Sequence, residues 1–224
     1  MDRPDEPRTA AAGADPYLPV AKERRQGVAL CLSGGGFRAA LFHLGAARRL
    51  DELGVLSRVD TFSGVSGGSI FSAFLADRIR SWPERGESVA NWDERVALPF
   101  RAFTARNLRT LPLLRRFLPW NWFDEGVAVE ALQARYRGRL TRLTLGDLPD
   151  QPRFIFSATD MAYGVNWTFQ KGRVGDYRAG YLRPAAAYPM ARAVAASSCF
   201  PTMVPAVARR HRAGATDRGN GAAG

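Results

Sequence analysis

The sequence predicts one α/β domain built on a mostly parallel sheet with helices on both faces. Three observations carry that prediction. Two strand, glycine-turn, helix units follow one another between Gly27 and Phe74. Further helix and strand patterns follow after residue 124. The length of 224 residues suffices for one such domain with a substantial core and would be cramped for two.

In the first unit, Val28 to Leu32 is a short apolar run that ends in Ser33-Gly34-Gly35-Gly36. Phe37 to Leu53 then carries Phe37, Leu41, Leu44, Ala47 and Leu50 at helical spacing, and Gly54 closes that helix as its C′ residue. In the second unit, Val59 to Phe62 is strand-like and runs into Gly64-Val65-Ser66-Gly67-Gly68. Ile70, Phe71, Phe74 and Leu75 form the apolar face of the next helix. Both glycine turns fall at the carboxyl ends of neighbouring parallel strands, where open α/β sheets bind their ligands.

The second turn is a G-x-S-x-G pentapeptide, the pattern of a nucleophile elbow, in which glycines beside the serine relieve a strained strand-to-helix turn. Ser66 would stand at a helix N-terminus, where dipole and free N–H groups favour the negative charge that develops as a hydroxyl attacks a carbonyl. Gly34, Gly35 and Gly36 offer backbone N–H groups at a second helix start, unhindered by side chains, and Arg38 one turn further fixes that loop or faces a phosphate. Gly67 completes the candidate oxyanion and substrate-binding set. GGGFRA also fits a dinucleotide fingerprint, but the nearby acid, Asp60, lies at the start of the second strand instead of its end. The loop also lacks the Lys-Ser/Thr of a P-loop.

The remaining elements follow in order. Residues 1–26 are polar, carry Pro4, Pro7, Pro16 and Pro19, and read as a mobile leader. Pro83 and Gly86 break the pattern after the elbow helix. Between residues 99 and 123 five arginines and no acid are interleaved with aromatic and aliphatic residues. That pattern suits a lid or docking surface in an anionic lipid interface. It equally suits a cap helix packed on the domain with its arginines solvated. Asp124 is an N-cap for a helix through Val127, Val129, Leu132 and Tyr136. Arg153 to Thr159 and Val165 to Phe169 read as strands, and Met190 to Ser197 as a helix leading to Cys199-Phe200-Pro201.

SGGGFRAALFHLGAARRLDELGVL followed by GVSGG resembles the amino-terminal half of a patatin-like phospholipase domain, with further likeness in FIFSATDMAYGVNWTF and AVAASSCFPTMVPAV. The resemblance runs from about Gly27 to Val207. It implies a three-layer α/β/α fold and a serine acyl hydrolase working through a Ser-Asp dyad on lipid esters, with no metal or organic cofactor. Ser66 would be the nucleophile, and Gly34, Gly35 and Gly36 the oxyanion loop.

The base is harder to find. The family expects an Asp-Gly-Gly or Asp-Gly-Ala turn soon after the FP-x-x-x-P segment, and this sequence has none. The remaining candidate base is Asp217, 16 residues after Pro201, with Arg218 where a glycine belongs. From Arg209 to Gly224 there is no Val, Ile, Leu, Phe or Tyr. Residues 208–224 are therefore expected to be a disordered tail unable to pack as a strand, and the domain over 27–207 to be incomplete, as a fragment or after a lost reading frame. A Ser66, Asp160, His211 triad order conflicts with the single convincing strand before the elbow. His43 reads as a partly buried helix residue. Two alternatives to the lipid hydrolase stand: a carboxylesterase for small soluble esters, and an inactive lipid-binding module that lacks the base.

The formal charge of +11 fits a generally basic surface or acidic phospholipid headgroups, and no nucleic-acid module accompanies it. Arginine dominates it, since only Lys22 and Lys171 are lysines. Cys31 and Cys199 form no disulfide framework and read as small buried hydrophobes. The leader lacks the apolar core of a signal peptide and no apolar run spans a bilayer, so a cytoplasmic protein, peripheral at the membrane, is expected.

Overall fold

The structure is a computed structural model that describes residues 26–105, 127–182, 184–198 and 216–217, the backbone alone being described for 127–131 and 216–217. Strand β1 (Ala29–Leu32) leads into helix α1 (Gly36–Glu52), and β2 (Thr61–Val65) into α2 (Gly67–Arg78). After α3 (Leu98–Thr104) and α4 (Val127–Arg139) come β3 (Arg153–Asp160), β4 (Val165–Gln170), β5 (Arg173–Asp176), β6 (Gly180–Leu182), α5 (Met190–Ser197) and β7 (Thr216–Asp217). The sheet runs β1-β2-β3-β4-β5-β6-β7.

The α/β class matches the sequence. The sheet is parallel where the two strand-helix units and β3 meet, from β1 through β2 to β3, and antiparallel from β3 onward. The reason is connection length: a helical crossover returns the chain in the same direction, whereas the four-residue turn between β3 and β4 can only reverse it. The expected parallel character therefore belongs to the part of the sheet that carries both glycine turns.

Alternation along the strands decides what is buried. Leu32, Phe62, Phe154 and Phe156 point to the face covered by α2 and α5, and all are buried. Phe62 and Phe154 stack across adjacent strands at 5.0 Å, with Trp82 edge-on to both. Each such fully buried aromatic contributes roughly 2–3 kcal/mol. The opposite face carries Ala29, Cys31 and Val65, all exposed, so Cys31 is not the buried hydrophobe its apolar surroundings in sequence suggested. In an alternating strand it stands on the face opposite the one that α2 and α5 cover.

Helix α2 also departs from the amphipathic pattern. Every residue from Gly67 to Ala76 is buried, polar Ser69 and Ser72 included. It lies beneath the sheet with α1 and α5 against it, so it has no solvent face for which an apolar stripe could be chosen. Helix α1 ends in a Schellman motif at Gly54 (φ +64°), with Gly54 N–H on Asp51 O and Val55 N–H on Leu50 O. Around α3, a second aromatic cluster joins Phe71, Phe74, Phe100 and Phe103, with Phe37 from α1 against it. Phe100 and Phe103 thus belong to the core, so these two aromatics of the 99–123 segment are not offered to a lipid interface; residues 106–123 lie outside the described residues.

The structure adds strands that the sequence did not signal. Arg173–Asp176 and Gly180–Leu182 form a hairpin with few apolar residues, and Thr216–Asp217 pairs with Tyr181 and Leu182 at the edge. A two-residue edge strand needs only backbone hydrogen bonds, so the absence of large apolar residues in the tail did not prevent it. The leader over 1–25, the N-cap at Asp124, Cys199 to Pro201, His211 and the rest of the tail lie outside the described residues. No described helix is long and apolar enough to cross a membrane.

Candidate active site

The two glycine turns meet at the carboxyl ends of β1 and β2. Ser66 has φ +52° and ψ −111°, a conformation that costs a side-chain-bearing residue on the order of 1–3 kcal/mol. Its neighbours show why glycine is required there. A Cβ at Gly64 would sit 2.7 Å from the Gly68 carbonyl carbon. One at Gly67 would fall on the Gly36 carbonyl oxygen, and one at Gly68 on the Leu32 carbonyl oxygen. The elbow is therefore packed backbone against backbone on the first turn and on the end of β1.

Three hydrogen bonds lock this junction from the side of α5. Ser197 Oγ accepts the Ser66 N–H at 2.9 Å and donates to the Ser157 carbonyl at 2.6 Å. Because its one proton is committed there, Ser69 Oγ must be the donor in their 2.8 Å contact. The Ser197 hydroxyl thus has its donor and both acceptor positions used while nearly fully buried, and it ties the elbow, α2, β3 and α5 together. Sequence reading noted ASSCFP but missed this role. The available signal was a serine closing a short helix that is apolar except for Arg192, where serine is unfavourable unless its hydroxyl has a task.

The first turn is fixed from beneath. The Ser33 carbonyl accepts Gly68 N–H at 3.1 Å and lies 2.9 Å from His43 Nε2, which must be the donor because a carbonyl only accepts. His43 is buried in α1 and tilted against Phe71, the helix residue its position suggested. In a trans peptide the following N–H points opposite to that carbonyl, so anchoring Ser33 sets the direction of Gly34 N–H. Gly35 (φ +131°) holds a backbone that side-chain-bearing residues rarely adopt and Gly36 (φ +66°) a left-handed one that favours glycine, and a Cβ on Gly34 would lie 3.4 Å from Ser66 Cβ. The structure therefore brings Ser66, Gly34, Gly35, Gly36 and Gly67 together. Since Ser66 N–H is used by Ser197, Gly67 N–H at the start of α2 is the donor beside the hydroxyl without an intrahelical acceptor. A hydroxyl flanked by helix-start donors can attack an electrophilic centre and have the resulting oxyanion held.

Arg38 is exposed and makes no ion pair among the described residues. Asp217 is not brought to Ser66. Its backbone lies in β7, five strand positions from β2, which at ~4.8 Å per strand is about 24 Å. Asp160 closes β3, where its Oδ1 accepts Ala162 N–H at 2.8 Å, the turn role expected of it. Burial, with the Asp160 carboxyl beside it, pushes the Asp176 carboxyl above the ordinary carboxylate value, against the lowering effect of two backbone N–H bonds.

Comparison with known proteins decides the ancestry. The family model for patatin-like phospholipase matches residues 30–217. The chain belongs to the patatin-like phospholipase family. A solved structure of human GIVD cytosolic phospholipase A2 in complex with methyl gamma-linolenyl fluorophosphonate is similar at TM-score 0.50 and 18% identity, over 77% of this chain and 29% of that one. Another structure of the human GIVD enzyme gives TM-score 0.50 and 16% identity, over 79% and 29%. At such identities the likeness is one of fold, and this patatin-like chain spans less than a third of the length of those enzymes. A search of curated proteins finds no match.

Proposed function

We propose that this patatin-like chain carries the nucleophile and oxyanion machinery of a lipid acyl hydrolase acting on carboxylic esters, as a phospholipase or acylglycerol lipase. The observation that carries this reading is the left-handed backbone at Ser66, held on a glycine elbow against the triple-glycine turn. Ser66 Oγ attacks the acyl carbonyl. The N–H groups of Gly34 to Gly36 and of Gly67 receive the developing charge, and Arg38, exposed on the same turn, meets a substrate phosphate. An aspartate base removes the proton in acylation and activates water in deacylation. Contact with anionic membranes follows from the substrate, which is met at a surface.

The backbone of Asp217 lies in β7 at the far edge of the sheet, which does not support assigning it as that base. This favours a second reading, in which the chain binds lipid and holds a reactive serine without efficient turnover. A soluble carboxylesterase is the remaining alternative. The test is hydrolysis of an activated long-chain acyl ester by the chain and by Ser66→Ala. Turnover lost in the variant supports the hydrolase. Equal rates in both proteins would refute Ser66 as nucleophile. Absence of turnover, with labelling of Ser66 by a fluorophosphonate, supports the second reading.

A further inference from the structure

Two hairpin turns project from the edge of the sheet that carries Ser66, and each is built on a buried aspartate. Asp160 Oδ1 holds Ala162 N–H, and the Asp160 carbonyl accepts Gly164 N–H at 2.8 Å. Asp176 Oδ1 holds the N–H groups of Arg178 and Ala179, each at 2.7 Å. These internal bonds fix turns whose outward side chains are large and apolar or aromatic: Met161 is 58% exposed, Tyr163 49% and Tyr177 40%. The Arg178 guanidinium lies over the Tyr163 ring at 5.9 Å and joins the two turns into one patch. Neither Met161 to Asn166 nor Tyr177 to Ala179 contains an acid.

Strand direction places the patch relative to the site. β5 is antiparallel to β4, which is antiparallel to β3, so β3 and β5 end at the same edge as β1 and β2. Val65 is level with Ser157, and Asp160 lies three residues farther along, about 10 Å beyond the level of Val65, the residue before Ser66. The tips therefore stand outward of the serine on its own side of the molecule.

We propose that these two turns are the contact with a lipid surface: Met161, Tyr163 and Tyr177 enter the boundary between headgroups and acyl chains, and Arg178 meets an anionic headgroup. Tyrosine has the apolar ring and polar tip that this boundary favours, and methionine supplies apolar area. The +11 charge draws the chain toward an anionic bilayer, and projecting turns suit a plane better than a groove suits a peptide. Seated this way, the carboxyl ends of β1 and β2 face the bilayer, so the inference rests on the proposed hydrolase for the use of that orientation but not for the contact.

The experiment is co-sedimentation of the full chain with vesicles of phosphatidylglycerol and phosphatidylcholine in equal parts, and with phosphatidylcholine alone. The wild type is expected to sediment with the mixed vesicles. The Met161→Ser/Tyr163→Ser/Tyr177→Ser variant is expected to lose about tenfold in partitioning. Leu53→Ser, at the other end of α1, removes an equally exposed apolar side chain and is expected to change nothing. Arg178→Gln is expected to weaken binding to mixed vesicles selectively. Far-UV circular dichroism checks folding, and should the triple variant unfold, Met161→Ser alone is expected to cost about threefold. Wild-type protein left in the supernatant with both vesicles, or a folded triple variant that sediments like wild type, would overturn the proposal. Fluorophosphonate labelling separates the two readings: a chain that labels at Ser66 but never sediments sinks the docking alone, and one that sediments through the tips but never labels sinks the hydrolase alone.

Discussion

The two halves of the sheet are held together by different means. From β1 to β3 the chain is fixed by backbone meeting backbone: glycines at 64, 67 and 68 leave no room for a methyl group, and one hydroxyl, Ser197, spans four elements. From β4 to β6 the strands are short antiparallel pairs; the Asp176 side chain organises the β5–β6 turn, and Gly172 in the β4–β5 turn has open space around it. Steric exclusion gives an almost all-or-none requirement, whereas turn hydrogen bonds offer graded and replaceable stability. Three such exclusions, at 64, 67 and 68, crowd the half that carries the candidate serine, against one in the other half, at Gly175, where a Cβ would fall on the Gly180 carbonyl oxygen.

Substitutions can break or sharpen that contrast. The largest expected effect is Gly68→Ala, which forces a methyl onto the Leu32 carbonyl and should cost more than about 4 kcal/mol or abolish folding. Gly172→Ala should stay within about 0.5 kcal/mol. Urea denaturation compares them, and similar losses in both would erase the distinction. Ser197→Ala comes next. It strands the Ser66 N–H and the Ser157 carbonyl in a buried junction, for a loss of roughly 1–3 kcal/mol, and should slow fluorophosphonate reaction of Ser66 about tenfold as the elbow relaxes. An unchanged labelling rate would limit Ser197 to packing.

A smaller effect is expected at Asp176. Its folded-state pKa is raised above 3.8, chiefly by burial, so the native state holds a proton that the unfolded chain has released. The contribution of this group to stability therefore falls as pH rises from about 4 through the raised folded value, and is level above it. Asp176→Asn keeps the Oδ1 acceptor for Arg178 and Ala179 without the buried charge. It should raise the melting temperature at pH 8 and flatten the fall between pH 4 and pH 8. A variant less stable than wild type at pH 8 would contradict this. The smallest effect is that of Asp217→Asn, which should leave Ser66 labelling unchanged, because β7 is five strands from β2.

The same contrast explains what could be read from the sequence. Glycine turns with steric causes leave local traces, and the bounds of α5 and the start of β3 followed from apolar periodicity. β5 and β6 left little trace because four and three residues, among them Arg173 and Gly175, show no usable alternation. Cys31 was misread because an apolar run does not say which of its residues face the helices. The bridging role of Ser197 joins residues 131 apart, a separation at which no local pattern reports. For Asp217, proximity in the motif order suggested a base, and only strand order revealed the distance.

The central claim is that Ser66 is a nucleophile poised by the two glycine turns. Its most direct test is treatment of the intact chain with a long-chain alkyl fluorophosphonate, whose phosphorus reads nucleophilicity without requiring deacylation, followed by peptide mass spectrometry. The account predicts one adduct, on the peptide containing Ser66, absent from Ser66→Ala. An unmodified Ser66 in folded protein, or an adduct that persists in the variant, would contradict it.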